Sequence, residues 1–387
     1  MKLPMKVLWL ASHPIQYQAP LFRELARRCD LLVAYAHRQS AAQQGNAGYG
    51  IAFDWDVNLL SGYRSVFLAP SSRQPSIERF WRCRSAEVAP LIERERPDTV
   101  VLGGWNLLVY WQALRAARRQ GIPVLARTDS RSRPADSAPR RALRTLALRR
   151  FSGYLAAGVR SSEYLRSHGV AVTRIFVCPH TVDVERFARS RARSAQARAS
   201  LRAGLGLPAD SFIAVFVGRL IGLKRPGDLL EALAAARLPS RAQAVFVGSG
   251  PLAEGLARRA GELGVNARFA GFRNQSELPD WLAAADVLVL PSAAETWGMV
   301  VNEALAAGCP AIVSSGAGCA ADFAAHAPAV RVYPAGDIAA LARALEAAAS
   351  TPVAQVEPAL DAAVAQFAPA HAAAQVIAAV AALRERG

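Results

Sequence analysis

The chain has 387 residues, 52% hydrophobic and 20% charged, with 46 Lys+Arg against 30 Asp+Glu and a formal charge of +16. This length exceeds one compact domain of roughly 100–200 residues, and the apolar fraction excludes disorder over most of the chain. The cysteines Cys29, Cys83, Cys178, Cys309 and Cys319 form no CxxC pair, so buried free thiols are expected rather than a disulfide framework or a zinc site.

The basic excess is uneven. Residues 1–190 carry 29 Lys+Arg against 14 Asp+Glu, and residues 191–387 carry 17 against 16. The arginines gather in Arg73–Arg96, Arg115–Arg150 and around Arg160. Among functional readings this favours an anionic membrane surface, with an ordinary solvated face as the alternative. No nucleic-acid motif or aromatic-basic interleaving accompanies the charge, so nucleic acid is not an expected partner. The sequence shows no lipid anchor and no strongly amphipathic insertion helix, so membrane binding would be weak and salt-sensitive. No run reaches the roughly 20 uninterrupted apolar residues of a membrane span. The start, Met1–Lys6, enters a strand directly, and the expected location is cytoplasmic, peripheral on the inner face of the membrane if the basic surface binds lipid.

Short apolar runs alternate with helical stretches along the chain, the pattern of parallel sheets covered by helices. In the first half, strands are expected at Lys6–Leu10, Leu31–Ala36, Thr99–Leu102, Pro123–Ala126, Gly153–Ala156 and Arg174–Cys178. Helices are expected at Pro20–Arg28, Glu78–Arg94, Val109–Arg119 and Ser161–His168. The basic, Ala/Ser-rich segment Arg189–Arg202 reads as an interdomain connection with partial helix. A second series follows, with strands at Phe212–Val217, Ala244–Val247, Ala267–Ala270, Val287–Leu290 and Ala311–Val313 and helices at Asp228–Ala236 and Leu252–Leu263. The expected domains are 1–190, a linker 191–210, a second domain 211–365 and a C-terminal helix 366–387. No GxGxxG follows the first strand, which counts against dehydrogenase-type dinucleotide binding.

The chemistry concentrates at strand ends of the second half. Asp286–Pro310 places a buried strand before a loop carrying Glu295, then a helix that opens near Gly298 and stops at Gly308-Cys309-Pro310. Free N–H groups at Gly298, Met299 and Val300 form an anion site, with Gly298 giving a phosphate room to approach. Glu295 and Glu303 then flank that site, where carboxylates need hydroxyl donors. Taken alone, they read equally well as a helix N-terminal acid and a solvated helix residue. They are not alone. Gly218 ends a strand, and Arg219 and Lys224 follow within reach of a diphosphate, one as a fork and one as a point charge. Gly248 in Val247–Pro251 and Phe272-Arg273 after Gly271 close two further strands.

These motifs resemble the family-4 retaining glycosyltransferases (glycosyl transferases group 1), which have the GT-B fold. The matching residues are GRL…K at Gly218–Lys224, VGSGP at Val247–Pro251, GF at Gly271-Phe272, E-x7-E from Glu295 to Glu303, and AxGCP at Ala306–Pro310. PAGD at Pro334–Asp337 and CPHTVDVERF at Cys178–Phe187 complete the set, which covers about half the chain in order. The resemblance implies an α/β GT-B fold, two Rossmann-like doubly wound domains facing across a central cleft. It implies that Arg219 and Lys224 neutralise the donor diphosphate, Glu303 holds the ribose hydroxyls and Glu295 contacts the donor sugar without acting as nucleophile. The backbone at Gly298–Val300 would meet sugar or phosphate, and Phe272 and Arg273 would flank the base. No metal is required and no cofactor is implied beyond a nucleotide-diphospho-sugar donor.

The first half matches less well. The loop after the first strand is Ser12–Pro20 rather than a Gly-Gly pair, and Gly103-Gly104-Trp105 stands where relatives carry a sugar-facing His. His13 and Gln18 lie in a strand-to-helix loop suited to the acceptor, with His13 also a catalytic candidate, and Asp129 is a further acceptor contact. His180 is read as ordering the interdomain crossing. The expected activity is retaining transfer from a UDP-sugar to a saccharide or lipid-linked saccharide acceptor in bacterial surface polysaccharide or glycolipid synthesis. A soluble small-molecule acceptor, a sugar-nucleotide 2-epimerase of the same fold, and a binding protein with a vestigial site are the alternatives.

Overall fold

The structure is a computed structural model describing residues 5–46, 52–130, 137–239 and 241–385, without the side chains of 45–46, 194–197 and 353–354. Met1–Pro4, and residues 131–136 of the basic stretch, lie outside the described residues. The chain forms two compact units. The first comprises the described residues of Met1–Gln39, Asn58–Thr181 and Pro369–Gly387, and the second those of Ser40–Val57 and Val182–Ala368.

In the first unit, β1 (Lys6–Ala11), α1 (Ala19–Ala26) and β2 (Asp30–Tyr35) lead to the segment carrying α2 (Ala41–Asn46), which belongs to the second unit. The first unit resumes with β3 (Arg64–Phe67), α3 (Val88–Glu95), β4 (Thr99–Leu102), α4 (Leu108–Arg119) and β5 (Val124–Thr128). It continues with α5 (Ala138–Leu148), β6 (Gly153–Ala156), α6 (Val159–Ser167) and β7 (Ile175–Val177). The strands form a parallel sheet ordered β3-β2-β1-β4-β5-β6-β7. Continuous apolar runs such as Val7–Ala11 and Val100–Leu102 are buried throughout, as a sheet covered on both faces requires.

The second unit contains α7 (Val184–Gly204), β8 (Ile213–Val217), α8 (Gly227–Ala235), β9 (Gln243–Val247), α9 (Ala253–Leu263) and β10 (Ala267–Gly271). There follow α10 (Leu278–Ala284), β11 (Val287–Leu290), α11 (Met299–Ala306), β12 (Ala311–Ser314), α12 (Ala320–Phe323), β13 (Val330–Tyr333), α13 (Ile338–Ser350) and α14 (Val353–Gln366). Its parallel sheet runs β10-β9-β8-β11-β12-β13. The last helix, α15 (Pro369–Arg384), buries Ala372, Ala373, Val376, Ala379 and Val380 among Val7, Trp9, Leu21 and Phe22 of the first unit. Gln355–Arg384 is long and apolar enough by composition to pass for a membrane span. Here it is two helices, α14 in one unit and α15 in the core of the other.

Several elements differ from the sequence expectation. The helix expected over Glu78–Arg94 is a short 3-10 turn at Phe80–Arg82 and then α3. Between them Ser85 is pulled inward, its hydroxyl donating to Ala69 O at 2.6 Å, while Cys83 O accepts from Val109 N at 2.9 Å. The segment read as a linker is α7, capped by Asp183, whose carboxylate accepts from Arg186 N. Its arginines explain why it is not a free connection. Arg202 donates to Ala284 O, Ala209 O and Ser211 O, and Arg202 and Arg198 both reach Asp286, at 2.7 and 3.0 Å. Asp286 also accepts from Ile213 N at 2.7 Å, so one carboxylate ties α7 to the start of β8.

Removing that carboxylate strands a buried guanidinium. Asp286→Ala should lower the stability of the second unit by about 3 kcal/mol. The check is a urea midpoint followed by tryptophan fluorescence, with a near-wild-type midpoint contradicting the assignment.

Candidate functional site

Strand order reverses between β8 and β11 in the second unit, and the loops leaving such a reversal are where open parallel sheets bind ligands. Those two loops are Gly218–Arg225 and Pro291–Gly298. Glycines bring the surrounding backbone together. Gly218 N donates to Val247 O at 2.9 Å and Gly248 N to Gly271 O at 2.8 Å, stepping across three neighbouring strand ends. Gly248 has φ +143°, and a Cβ there would overlap the Gly218 carbonyl. A Cβ on Gly250 would lie 2.5 Å from Leu220 O. Only glycine allows this close approach.

Lys224 and Glu295 meet on this floor, ammonium against carboxylate, each under a fifth exposed. Burial, then the Arg219 guanidinium, pulls the Lys224 ammonium down to about 8, with Cys319 opposing. Arg219, Lys224 and Glu295 thus lie together at these strand ends. The Glu295 loop is held from behind by a run that the sequence reading missed. Glu295 bridges Ala317 in parallel, Glu295 N donates to Gly316 O at 3.2 Å and Cys319 N to Trp297 O at 3.0 Å. Cβ atoms on Gly316 or Gly318 would overlap the carbonyls of Ser292, Ala293 or Thr296. The alternating glycines of Ser315-Gly316-Ala317-Gly318 after a buried strand were the available signal.

Gly298 needs reinterpretation. Its φ is +109°, and a Cβ would lie 2.8 Å from Leu290 Cδ2 and 3.2 Å from Cys319 Sγ. Its left-handed backbone and its packing against the core each favour glycine at this position. Met299 and Val300 open α11, half-buried. Glu303 lies deeper, 7% exposed, and is not a solvated helix residue. Burial pushes its carboxyl up, while Arg186 and a hydrogen bond from Gln275 hold it down. Arg186 in turn donates to Gln275 O at 3.1 Å and to Gln275 Oε1 at 2.6 Å. Arg186 and Gln275 were missed as support for Glu303 because they come from separate elements. Phe272 packs on Phe53 with centroids 4.8 Å apart. Arg273 is occupied, donating to Ala270 O and to Glu277 at 2.9 Å. Its guanidinium braces the turn after β10 and is already engaged at the place where it was expected to flank a base.

In the first unit, strand order reverses between β1 and β4, placing the Ser12–Pro20 loop beside Gly103. Gly103 N donates to Leu10 O at 2.8 Å. His13 Nδ1 lies 2.9 Å from Ser12 Oγ, and burial, helped by His37, pulls its imidazole down to about 4. Gln18 is 7% exposed, precedes α1, and its Oε1 has no hydrogen-bond partner among the described residues. At the other strand ends, buried Arg127 donates to Cys178 Sγ at 2.9 Å and approaches His180 Nδ1 at 3.3 Å. A guanidinium can only donate, so Nδ1 accepts and the His180 proton sits on Nε2, 3.9 Å from Asp129 Oδ2. Tyr17 packs edge-on against His180 at 5.3 Å, its hydroxyl pushed up to about 12 by burial and then by Asp129. Burial also raises the Asp129 carboxyl. His180 is the neighbour of Asp129 and Tyr17, and Tyr17, distant in sequence, was missed.

Both histidines stay neutral in the folded chain well below their usual range, His180 through burial and then Arg127. Between pH 6.5 and about 4 the unfolded chain therefore binds protons that folded His13 refuses, so stability falls as pH falls through that window. His13→Gln should shrink the difference between urea midpoints at pH 7 and pH 5, and an unchanged difference would contradict its burial as a neutral group.

Among the described residues no group of three or more His, Cys, Asp and Glu is gathered as for a metal ion. Residues 197–384 match the family described as Glycosyl transferases group 1. The D-inositol 3-phosphate glycosyltransferase of Streptomyces scabiei is 34% identical over 224 residues, 52% of this chain and 49% of that protein. The chain thus spans about half the length of this curated relative. The structure of Anabaena Alr3699/HepE in complex with UDP matches with a TM-score of 0.73 at 19% identity, over 97% of this chain and 100% of that one. WaaG, a glycosyltransferase involved in lipopolysaccharide biosynthesis, matches with a TM-score of 0.62 at 18% identity, over 95% and 98%. At such identities the likeness speaks to fold. Residues 197–384 thus resemble the Glycosyl transferases group 1 family, and the fold is α/β with two parallel-sheet, Rossmann-like units, as in these GT-B glycosyltransferase structures.

Proposed function

We propose that the chain is a retaining glycosyltransferase of the family-4 type, taking a sugar from a UDP-linked donor to an acceptor hydroxyl without a metal ion. The observation that carries this reading is the Lys224–Glu295 pair, with Arg219 beside it, on the glycine floor where the second sheet reverses. A bound diphosphate would compensate the desolvation of Lys224. As the bond from the anomeric carbon to phosphate breaks, Lys224 and Arg219 meet the charge growing on the leaving oxygen. The new bond forms to the acceptor oxygen on the same face, and the acceptor proton passes to the departing diphosphate. Glu295, freed from part of its contact with Lys224, accepts from donor-sugar hydroxyls, and Glu303 accepts from the ribose. The uridine assignment is supported by the UDP complex of HepE.

The first unit supplies acceptor contacts through His13, Gln18 and Asp129, with neutral His13 and the His180 Nε2–H suited to hydroxyls. We assign the acceptor as a lipid-linked saccharide of bacterial surface polysaccharide or glycolipid synthesis, used on the cytoplasmic side. A second reading, a soluble phosphorylated polyol, is favoured by the D-inositol 3-phosphate glycosyltransferase relative. Donor epimerisation is the weaker alternative, since it leaves the first unit's neutral polar cluster without a substrate.

A panel of nucleotide sugars read by mass spectrometry, with NMR of the product anomer, tests the reaction. Release of UDP with the donor's configuration kept is expected, and a new nucleotide sugar would point to epimerisation. Transfer should persist in excess chelator, and loss restored only by magnesium or manganese would overturn the cationic-pair mechanism. Arg219→Ala should lower kcat about 10²–10³-fold with the fold kept, as for loss of one preorganised donor to a developing anion. Because Lys224 must be protonated, kcat/KM for the donor should fall as pH rises through about 8. Lys224→Arg should displace that limb upward, and a limb that stays in place would assign it to another group.

A further inference from the structure

Residues 53–57 lie in the connection between β2 and β3, yet they pack within the second unit. Their anchor is Phe53, 9% exposed, whose ring centroid lies 4.8 Å from that of Phe272 and 4.9 Å from that of Trp55. The next polar contacts fall on one turn. Asp54 O accepts from Asn274 Nδ2 at 2.8 Å, and the Asp56 carboxylate accepts from Ser276 N at 3.1 Å and from the Ser276 hydroxyl. Both neighbours of Gln275 are thus gripped, and Gln275 itself is buried. Asn274 Oδ1 also accepts from Gln275 N at 2.8 Å, so one side chain joins the segment to that residue. Gln275 Oε1 is taken by Arg186 at 2.6 Å, which leaves its NH2 group to donate to the Glu303 carboxylate. The contacts run from Asp54 through Asn274 and Gln275 to Glu303.

We propose that residues 53–56 are a positioning latch for the nucleoside half of the donor. Phe53 acts through Phe272, and Asp54 and Asp56 act through Asn274 and Ser276, to fix the turn from which Gln275 aims Glu303 at the ribose. The inference rests on the donor reading above and adds residues from the first half of the chain to the second unit's specificity. A loop that only needed parking would be satisfied by burying Phe53. Here a backbone carbonyl and a carboxylate bind on either side of Gln275, and hydrogen bonds to a carboxylate are the stronger kind. Phe272 is half-buried, and aromatic contacts are directional, so a ring backed by Phe53 keeps a fixed orientation. The diphosphate groups Arg219 and Lys224 belong to the loop after β8, whereas the latched turn follows β10, with β9 between them in the sheet. The latch therefore acts on base and ribose and leaves the diphosphate contacts alone.

The test is calorimetry of the full chain with UDP, deoxyuridine diphosphate and inorganic pyrophosphate. Phe53→Ala should weaken UDP binding about tenfold, the upper range for one lost aromatic pair, and leave pyrophosphate binding unchanged. The wild-type preference for UDP over deoxyuridine diphosphate should shrink in the same variant, because Glu303 loses its aim at the ribose hydroxyls. Asp56 is exposed, so its replacement does not threaten the fold. Asp56→Ala should weaken UDP binding about threefold, as for one lost hydrogen bond. Asp56→Asn should restore it, since an amide oxygen still accepts from Ser276 N. Pyrophosphate affinity falling in step with that for UDP would mean a general loosening of the unit and would overturn the proposal. So would a Phe53→Ala chain with unchanged UDP affinity and unchanged ribose preference, an outcome that leaves the donor reading standing. A wild-type chain that binds no UDP is the separate failure of that reading, and it takes the inference with it.

Discussion

Backbone packed on backbone is the constraint on which the second unit's site depends. Side chains normally hold loops apart at the carboxyl end of a parallel sheet. Here Gly248 and Gly250 let the first two loops lie against each other, and Gly316 and Gly318 do the same behind Glu295. With that thickness removed, Lys224 and Glu295 arrive from different strands at contact distance. A Cβ at Gly248 or Gly250 would overlap the backbone of the neighbouring loop and push it outward. The glycines therefore act on the site's electrostatics without touching a ligand.

The electrostatics of the two units differ in kind. The second unit holds formal charges in a desolvated place, with Lys224 pulled down and the buried Glu303 carboxyl pushed up. Each is costly unless something supplies the missing partner, an anion for the cation and hydroxyl donors for the carboxylates. A nucleotide-diphospho-sugar has both. The strand ends of the first unit hold one buried cation, Arg127, among groups kept neutral, with His13 and His180 below their usual range and Tyr17 above its own. Neutral donors and acceptors orient a hydroxyl without fixing a proton on it, which suits an acceptor whose proton must leave during transfer.

Which parts of this were legible in the sequence follows from where the determining contacts lie. Central strands such as Val287–Leu290 are continuous apolar runs, and their limits were read closely. Of the edge strands, β7 and β10 were read and β3 and β13 were not. β3, Arg-Ser-Val-Phe, is half exposed, and β13, Val-Arg-Val-Tyr, carries an arginine, so neither shows the buried signature. Arg219, Lys224, Glu295 and Glu303 were found because local motifs carry them. Arg186 and Gln275, which hold Glu303, and Tyr17, which packs on His180, matter only through contacts between distant segments. The packing of Gly298 against Leu290 and Cys319 was not legible, since motif position does not show which neighbours a glycine clears.

The basic composition shows the same limit in another form. Net charge counts arginines alike, whereas the fold uses them in at least two ways. Arg202 and Arg198 are spent on helix-end carbonyls and Asp286, and Arg127 on Cys178 and His180, so those charges do little at the surface. On α5, Arg141 donates to Ser167 O, while Arg140 and Arg149 are exposed. A residue count over the first half of the chain therefore predicts an attraction but cannot say where it acts. The pairing pattern narrows it, because a guanidinium already bound to carbonyls and a carboxylate has few donors left for a phosphate.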